Sequence, residues 1–271
     1  AASDVYKRQV LNNLSDDRED IIVLQINGTS PIDNVYGNVT SYFINGTKKA
    51  ELTNIAEPRF IRFLRYKSEL HLLIISSCCI KLHNFSSEGY GECIYEKGIN
   101  KDFASCAILG DLNGDGSDEF VLGSTSGSVH IFDGTTGEEL HEVSFPSDYG
   151  DMVFCTPIKS SNNEALILID IFNIRDAKRT TFLMKFSGSS HEIIWIYTLS
   201  SDTMQSAVID DIDGDEVPEV ILNEKMDAQE GNMFFQYYVI SGASGAKTPI
   251  FLSYYEGAYI HSVEDYDGDQ H

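Results

Sequence analysis

Two short signatures recur in step along this chain, and together they constrain its fold more than any other feature. The first is an acidic loop. Asp111-Leu-Asn-Gly-Asp-Gly-Ser-Asp-Glu119 runs into the apolar triplet Phe120-Val-Leu122, and Asp211-Ile-Asp-Gly-Asp-Glu-Val-Pro-Glu219 runs into Val220-Ile-Leu222, 100 residues later. A further copy opens at Asp265 and retains Asp265, Asp267 and Asp269. An interval near 50 places worn copies at Ser160-Ser-Asn-Asn-Glu164, Arg65-Tyr-Lys-Ser-Glu69 and Ser15-Asp-Asp-Arg-Glu19, each leading into apolar residues. The second signature is a hairpin: Ile131-Phe-Asp-Gly-Thr-Thr-Gly137, Val239-Ile-Ser-Gly-Ala-Ser-Gly245, Lys185-Phe-Ser-Gly-Ser189 and Phe43-Ile-Asn-Gly-Thr47, with Asn84-Phe-Ser-Ser-Glu-Gly89 filling the gap. Self-similarity at such an interval marks solenoids, propellers or arrays.

The content of one unit decides among these. Ala104–Leu109 reads as a first strand, Phe120–Leu122 as a second, Ser128–Phe132 as a third with period-two alternation, and Glu138–Phe145 as a fourth. Asp-Gly and Asn-Gly dipeptides tolerate positive φ and are expected to turn the hairpins. Six prolines interrupt the chain, and no long segment carries a 3.6-residue period. Four strands in roughly 40–50 residues, repeated, predict an all-β fold, a β-propeller of four-stranded blades. Units are expected near 10–55, 56–100, 101–150, 151–200 and 201–255, with a partial unit over 256–271, so that the chain is an incomplete propeller. Residues 1–9 fit no part of the repeat and are expected to lie outside the fold.

The acidic loops carry the chemistry. Alternating carboxylates in a tight loop point inward, and a hard cation such as Ca²⁺ takes 6–8 oxygens from such side chains and from backbone carbonyls. The expected ligands are Asp111, Asn113, Asp115, the Ser117 carbonyl and Glu119 in one loop, and Asp211, Asp213, Asp215, the Val217 carbonyl and Glu219 in the next. Gly116 supplies a left-handed residue, whereas Glu216 stands at the same place in the second loop, at an expected cost of about 1–2 kcal/mol. An EF-hand would need a bidentate Glu at position 12 and flanking helices. Position 12 is Leu122 or Leu222, inside a strand. Two full copies and one partial copy in register favour cation binding over merely solvated acidic turns.

At these residues the chain resembles the FG-GAP repeats of integrin-alpha-type β-propellers. Asp111-Leu-Asn-Gly-Asp-Gly-Ser-Asp-Glu-Phe-Val-Leu-Gly123 is a complete motif of that kind, and Asp211–Leu222 matches apart from Glu216. The resemblance implies calcium between first and second strands and an adhesive or ligand-binding role outside the cell. In a four-stranded meander the 1–2 and 3–4 turns share one edge, so a protein or glycan partner is expected on the opposite face. That face carries the long connections Ile171–Thr180 and Asn223–Asn232 and one basic cluster, Arg175, Lys178 and Arg179, read as a solvated loop.

Composition bounds the partners and the compartment. Asp and Glu total 42 against 19 Lys and Arg, a formal net charge of −23. Such a chain lacks the basic surface that phosphate backbones and anionic membranes require. The longest apolar stretch, Leu70–Ile80, is about half of the ~20 residues a spanning helix needs. Glycosylation sequons begin at Asn13, Asn27, Asn38, Asn45 and Asn84 and suggest an exported protein; Asn45 and Asn84 are expected in equivalent hairpin turns. Of five cysteines, Cys106 and Cys155 fall at equivalent first-strand positions and are expected to be buried thiols, and Cys93 is expected to pair with Cys78 or Cys79. No catalytic constellation emerges: Gly123-Ser-Thr-Ser-Gly127 places Thr125 at the centre of a hairpin turn, and the histidines, among them His71 and His130, are scattered. The competing enzymatic reading is the propeller of a calcium-dependent polysaccharide lyase of the rhamnogalacturonan-lyase type.

Overall fold

The computed structural model describes residues 6–14, 18–27, 36–43, 47–86, 89–161, 164–176, 178–187, 190–200, 206–227 and 233–253. Every regular element among them is a strand. The first sheet contains β1 (Tyr6–Leu14), β2 (Arg18–Asn27), β3 (Tyr36–Phe43) and β4 (Lys48–Ala56); the second β5 (Pro58–Tyr66), β6 (Glu69–Ser76), β7 (Cys79–Ser86) and β8 (Gly89–Gly98). The third contains β9 (Phe103–Gly110), β10 (Glu119–Ser124), β11 (Ser128–Phe132) and β12 (Glu139–Ser144); the fourth β13 (Met152–Ser161), β14 (Glu164–Asn173), β15 (Lys178–Ser187) and β16 (Ser190–Ser200). The fifth contains β17 (Ser206–Val208), β18 (Val220–Asp227), β19 (Met233–Ile240) and β20 (Lys247–Ser253). Each sheet is a four-stranded meander in chain order. This is the all-β fold class that the repeat predicts, consecutive blades of the β-propeller type. No helix of the described residues is long and apolar enough to cross a membrane.

The chain divides into two compact units. One holds the first two sheets and most of the third; the other holds the 123–129 segment and the last two sheets. Within each, the inner strands are buried on both faces, which explains their near-continuous apolar runs. In β6, Leu72 and Ile74 pack with Val39, Ile61 and Phe85, while Leu73 and Ile75 pack with Phe103, Phe120, Leu122 and Phe132 of the next sheet. The stretch read as an interrupted apolar segment is therefore a two-faced central strand and its turn. In β18, Val220 and Leu222 join Leu168, Leu183 and Trp195, and Ile221 joins Phe235 and Tyr237 on the other face. Cutting a fully buried side chain such as Leu73 back to alanine costs about 2–5 kcal/mol.

Several sequence expectations are corrected here. Strand β1 opens at Tyr6, paired with Ile26, so Tyr6–Gln9 belong to the first sheet rather than lying outside the fold. Strands β14 and β15 extend to Asn173 and from Lys178, which shortens the connection expected over Ile171–Thr180. Asn84 is not in a hairpin turn. It sits inside β7, which runs on to Ser86, at a register shift between His83 and Phe85 and close to Gly91. Cys93 cannot pair with Cys79: it lies opposite His83, four residues along β7 from Cys79. Four residues of strand span roughly 13 Å, and a disulfide needs Cα atoms within about 7 Å. All five cysteines are free thiols, with Cys106 and Cys155 buried. The expected partial unit, with Asp265, Asp267 and Asp269, lies outside the described residues, as does the turn carrying Asn45.

Candidate metal centres

The two complete acidic loops join β9 to β10 and β17 to β18, with strands on both sides. Leu122 and Leu222 are core residues, so the twelfth position, where an EF-hand would close, is unavailable for coordination. The loops fold alike because their acids organise their own backbone. Asp111 Oδ1 accepts the Gly114 N–H at 2.7 Å and Oδ2 the Gly116 N–H at 3.0 Å. In the second loop Asp211 accepts the N–H groups of Gly214 at 2.7 Å and Glu216 at 2.7 Å. Asp115 and Asp215 each accept, at 2.9 Å, the N–H two residues on, from Ser117 and Val217. The turn places Gly116 at φ 88° and Glu216 at φ 69°. Glu216 thus takes the left-handed conformation that its position in the motif demands.

The second signature is the partner of the first. Gly134 and Gly242 begin the β11–β12 and β19–β20 hairpins where the acidic loop of the same sheet passes overhead. A Cβ on Gly134 would lie 1.9 Å from the Asp118 carbonyl oxygen, and one on Gly242 2.3 Å from the Pro218 carbonyl oxygen. These glycines answer to crowding, not to the positive φ expected of an Asp-Gly turn. Positive φ falls instead on Gly137 (69°) and Gly245 (70°). Their N–H groups close the turns on Asp133 O and Ser241 O, both at 2.8 Å. A Cβ at Gly137 would meet Tyr95 of β8 at 2.6 Å, and one at Gly245 would meet Trp195 of β16 at 2.8 Å. Each hairpin therefore rests on an aromatic residue from the last strand of the preceding sheet. Trp195 Nε1 adds a bond to Gly242 O at 3.1 Å.

Carboxylates converge in both loops. Oxygens of Asp211, Asp213, Asp215 and Glu219 lie within 4.8 Å of one another, as do those of Asp115, Glu119 and Asp133. Asp133 was read from the sequence only as a turn residue; its place in the hairpin that keeps step with the loop was the available signal. In this loop Asp111 spends its oxygens on the backbone, and Asn113 bonds through Nδ2 to Glu119 Oε1 at 3.1 Å and Asp133 Oδ2 at 3.2 Å. Thr135 donates to Asp115 Oδ2 at 2.6 Å. Arg65, in the worn copy of the preceding sheet, bonds Asp118 Oδ1 at 2.6 Å, and Lys67 N–H reaches Ser117 Oγ at 3.1 Å. The worn loop thus braces the intact one. In the second loop Lys159, also from the preceding sheet, donates to Glu216 O at 2.5 Å.

The two glutamates sit at the base of the loops, with Glu119 0% and Glu219 1% exposed. Their Oε2 atoms accept the N–H of Leu112 at 2.5 Å and of Ile212 at 2.6 Å. Burial pushes the Glu119 carboxyl up to about 7; the Leu112 N–H opposes this, and the charges of Asp115, Asp133 and Asp111 add to it. Burial likewise raises Glu219, again against a backbone N–H and with the three loop aspartates adding to it. For Asp115, burial opposes ionisation, but the hydrogen bonds from Thr135, Ser117 and Asn113 hold it below the usual carboxylate range. Glu219 Oε1 is buried and has no hydrogen-bond partner.

One other polar group departs from the sequence expectation. Arg179 is not part of a surface basic cluster. It is 0% exposed, with Nε 2.8 Å and Nη2 2.6 Å from Asp170 Oδ1, which also accepts Thr181 Oγ1 at 2.6 Å; Ser206 donates to Asp170 Oδ2 at 2.7 Å. His130 is buried beside Glu139 (2.9 Å), with Lys101 3.3 Å from its Nδ1 and 3.1 Å from Glu142. The ammonium of Lys101 supplies the cation there. Thr125 lies in the β10–β11 turn, as expected.

No family model matches the chain, and no curated protein matches it. Among solved structures it is similar to BamB from Moraxella catarrhalis, at 10% identity and a TM-score of 0.44, over 86% of this chain and 57% of that one. The chain thus spans little more than half of BamB. It is similar to a putative 6-phosphogluconolactonase from Bacteroides fragilis at 11% identity, with a TM-score of 0.47 over 90% and 70% of the two chains. It is also similar to BBS1N, solved in complex with ARL6DN, at 10% identity, with a TM-score of 0.45 over 96% and 94%. Nothing about this chain's chemistry follows from likenesses at these scores.

Proposed function

We propose that this chain is a calcium-binding β-propeller domain of the FG-GAP type, serving outside the cell as an interaction module for a protein or glycan. The observation that carries the reading is Glu219 Oε1, a carboxylate oxygen buried without a partner where Asp211, Asp213 and Asp215 converge. An unsatisfied buried acceptor is costly, and like charges at this spacing repel. A hard divalent cation relieves both, and oxygen-only donors suit Ca²⁺. The first loop would use Asp115, Glu119 and Asp133, with Asn113 and Asp111 completing the wall; the carbonyls of Ser117 and Val217 are the backbone ligands the motif supplies. The sequons support export, and the strongly acidic surface suits a role as a binding scaffold. Contact with a partner falls to the edge bearing the 2–3 turns, since the loops and 3–4 hairpins are packed on each other.

Calorimetric titration of cation-free protein with Ca²⁺ tests this. Asp115→Ala and Asp215→Ala should each remove one site, and each should reduce the thermal stabilisation by calcium, which is about 2.7 kcal/mol per site at a hundredfold excess over Kd. Titrations unchanged in both variants would falsify the assignment.

A further inference from the structure

Neighbouring residues of a strand point to opposite faces, so adjacent cysteines ordinarily diverge. Cys78 and Cys79 do not: their sulfurs are 3.8 Å apart. The β6–β7 turn gathers them around one hydroxyl. Ser76 Oγ lies 3.5 Å from Cys78 Sγ and 3.1 Å from Cys79 Sγ. It also accepts the Cys79 N–H at 3.1 Å and donates to Cys79 O at 2.9 Å. The turn is held from both sides as well. Ser77 N–H donates to Glu57 O at 3.1 Å, and Ile99 N–H donates to Cys78 O at 2.8 Å. The sulfur pair is therefore positioned before any ligand arrives, which lowers the ordering cost of binding. Cys78 is exposed and Cys79 buried, so a ligand entering from solvent meets one sulfur and then the other.

We propose that Cys78 and Cys79 form a dithiol chelate for a soft, thiophilic centre of the trivalent-arsenical class. Sulfur is the donor that soft centres select, and a second sulfur within the same turn makes the second bond intramolecular. The remaining thiols offer no such pair. Cys93 is far along β8, and burial pushes Cys106 up to about 12, leaving it inert. With phenylarsine oxide, two S–As bonds form and two S–H bonds break. The oxygen on arsenic leaves as water, carrying both thiol protons, and no atom changes oxidation state. Burial raises the Cys79 thiol and the Ser76 hydroxyl partly offsets this; the reaction tolerates it because the protons depart with the leaving oxygen. The site is independent of the calcium loops.

The test is intact-mass measurement of the reduced full chain after phenylarsine oxide treatment in excess glutathione. One adduct per chain is expected, stable to the monothiol and reversed by 2,3-dimercaptopropanol. Cys78→Ser, a change at an exposed turn whose fold is checked by circular dichroism, should abolish the stable adduct, as should Cys79→Ser; Cys93→Ser should retain it. An adduct that glutathione removes, or that persists in Cys78→Ser, overturns the proposal.

Discussion

The two acidic loops share a backbone and differ in how their charge is managed. The first has an amide at its third position, Asn113, which donates to Glu119 and Asp133, and its outer acid, Asp118, is tied to Arg65. The second has Asp213 and Pro218 at those places. Asp213 cannot donate, and Glu219 Oε1 is left without a partner. The first loop borrows the third of its converging carboxylates from the hairpin, where Asp133 stands; the second carries all four of its own, and Ser241 occupies the hairpin position. The same motif thus yields one loop that is largely satisfied alone and one whose charge is uncompensated.

The common backbone is the part most sensitive to change. Gly134→Ala should destabilise the protein by roughly 3 kcal/mol, because its Cβ would overlap the Asp118 carbonyl oxygen and the loop cannot retreat without losing its bond to Arg65. Gly242→Ala should cost a similar amount. Chemical denaturation reads both, and a neutral result at either site would show that loop and hairpin are not locked together. A reciprocal exchange at the third position probes the difference. In cation-free protein Asp213→Asn should stabilise by about 1 kcal/mol, by removing one charge and offering Glu219 a donor, and Asn113→Asp should destabilise by a similar amount. The order should invert in saturating calcium, where a carboxylate is the better ligand. Equal effects with and without calcium would break the comparison.

A third effect is a dependence on pH. Glu119 ionises at about 7 in the fold against an ordinary 4.5, so the folded state favours its neutral form. That cost to stability is absent below pH 4.5, develops as pH rises towards 7 and is complete above it. Cation-free protein should therefore lose stability over that window, and Glu119→Gln should flatten this contribution. Calcium, which favours the ionised form, should remove it too. Denaturant midpoints recorded from pH 4.5 to 8 with a chelator provide the measurement.

The four strands per sheet, the hairpins at Asp133 and Ser241 and the left-handed Glu216 were legible because each follows from local chemistry: alternation, turn residues and the place in the motif. What the sequence hid was relational. Asp133 joins the cluster only because the hairpin folds over the loop, and Gly134 matters only because a carbonyl passes above it. Arg179 looked like surface charge until strand β15 carried it inward to Asp170. Asn84 resembled a turn residue because it imitates the hairpin signature, but strand β7 carries on past it to Ser86 through a register shift.

The seats beneath Gly137 and Gly245 have a directional consequence. Tyr95 and Trp195 belong to sheets that precede their hairpins in the chain, so each later segment docks onto an earlier one. During synthesis the amino-terminal part emerges first. For these two corners the platform is made before the segment that rests on it, an order that suits assembly alongside translation.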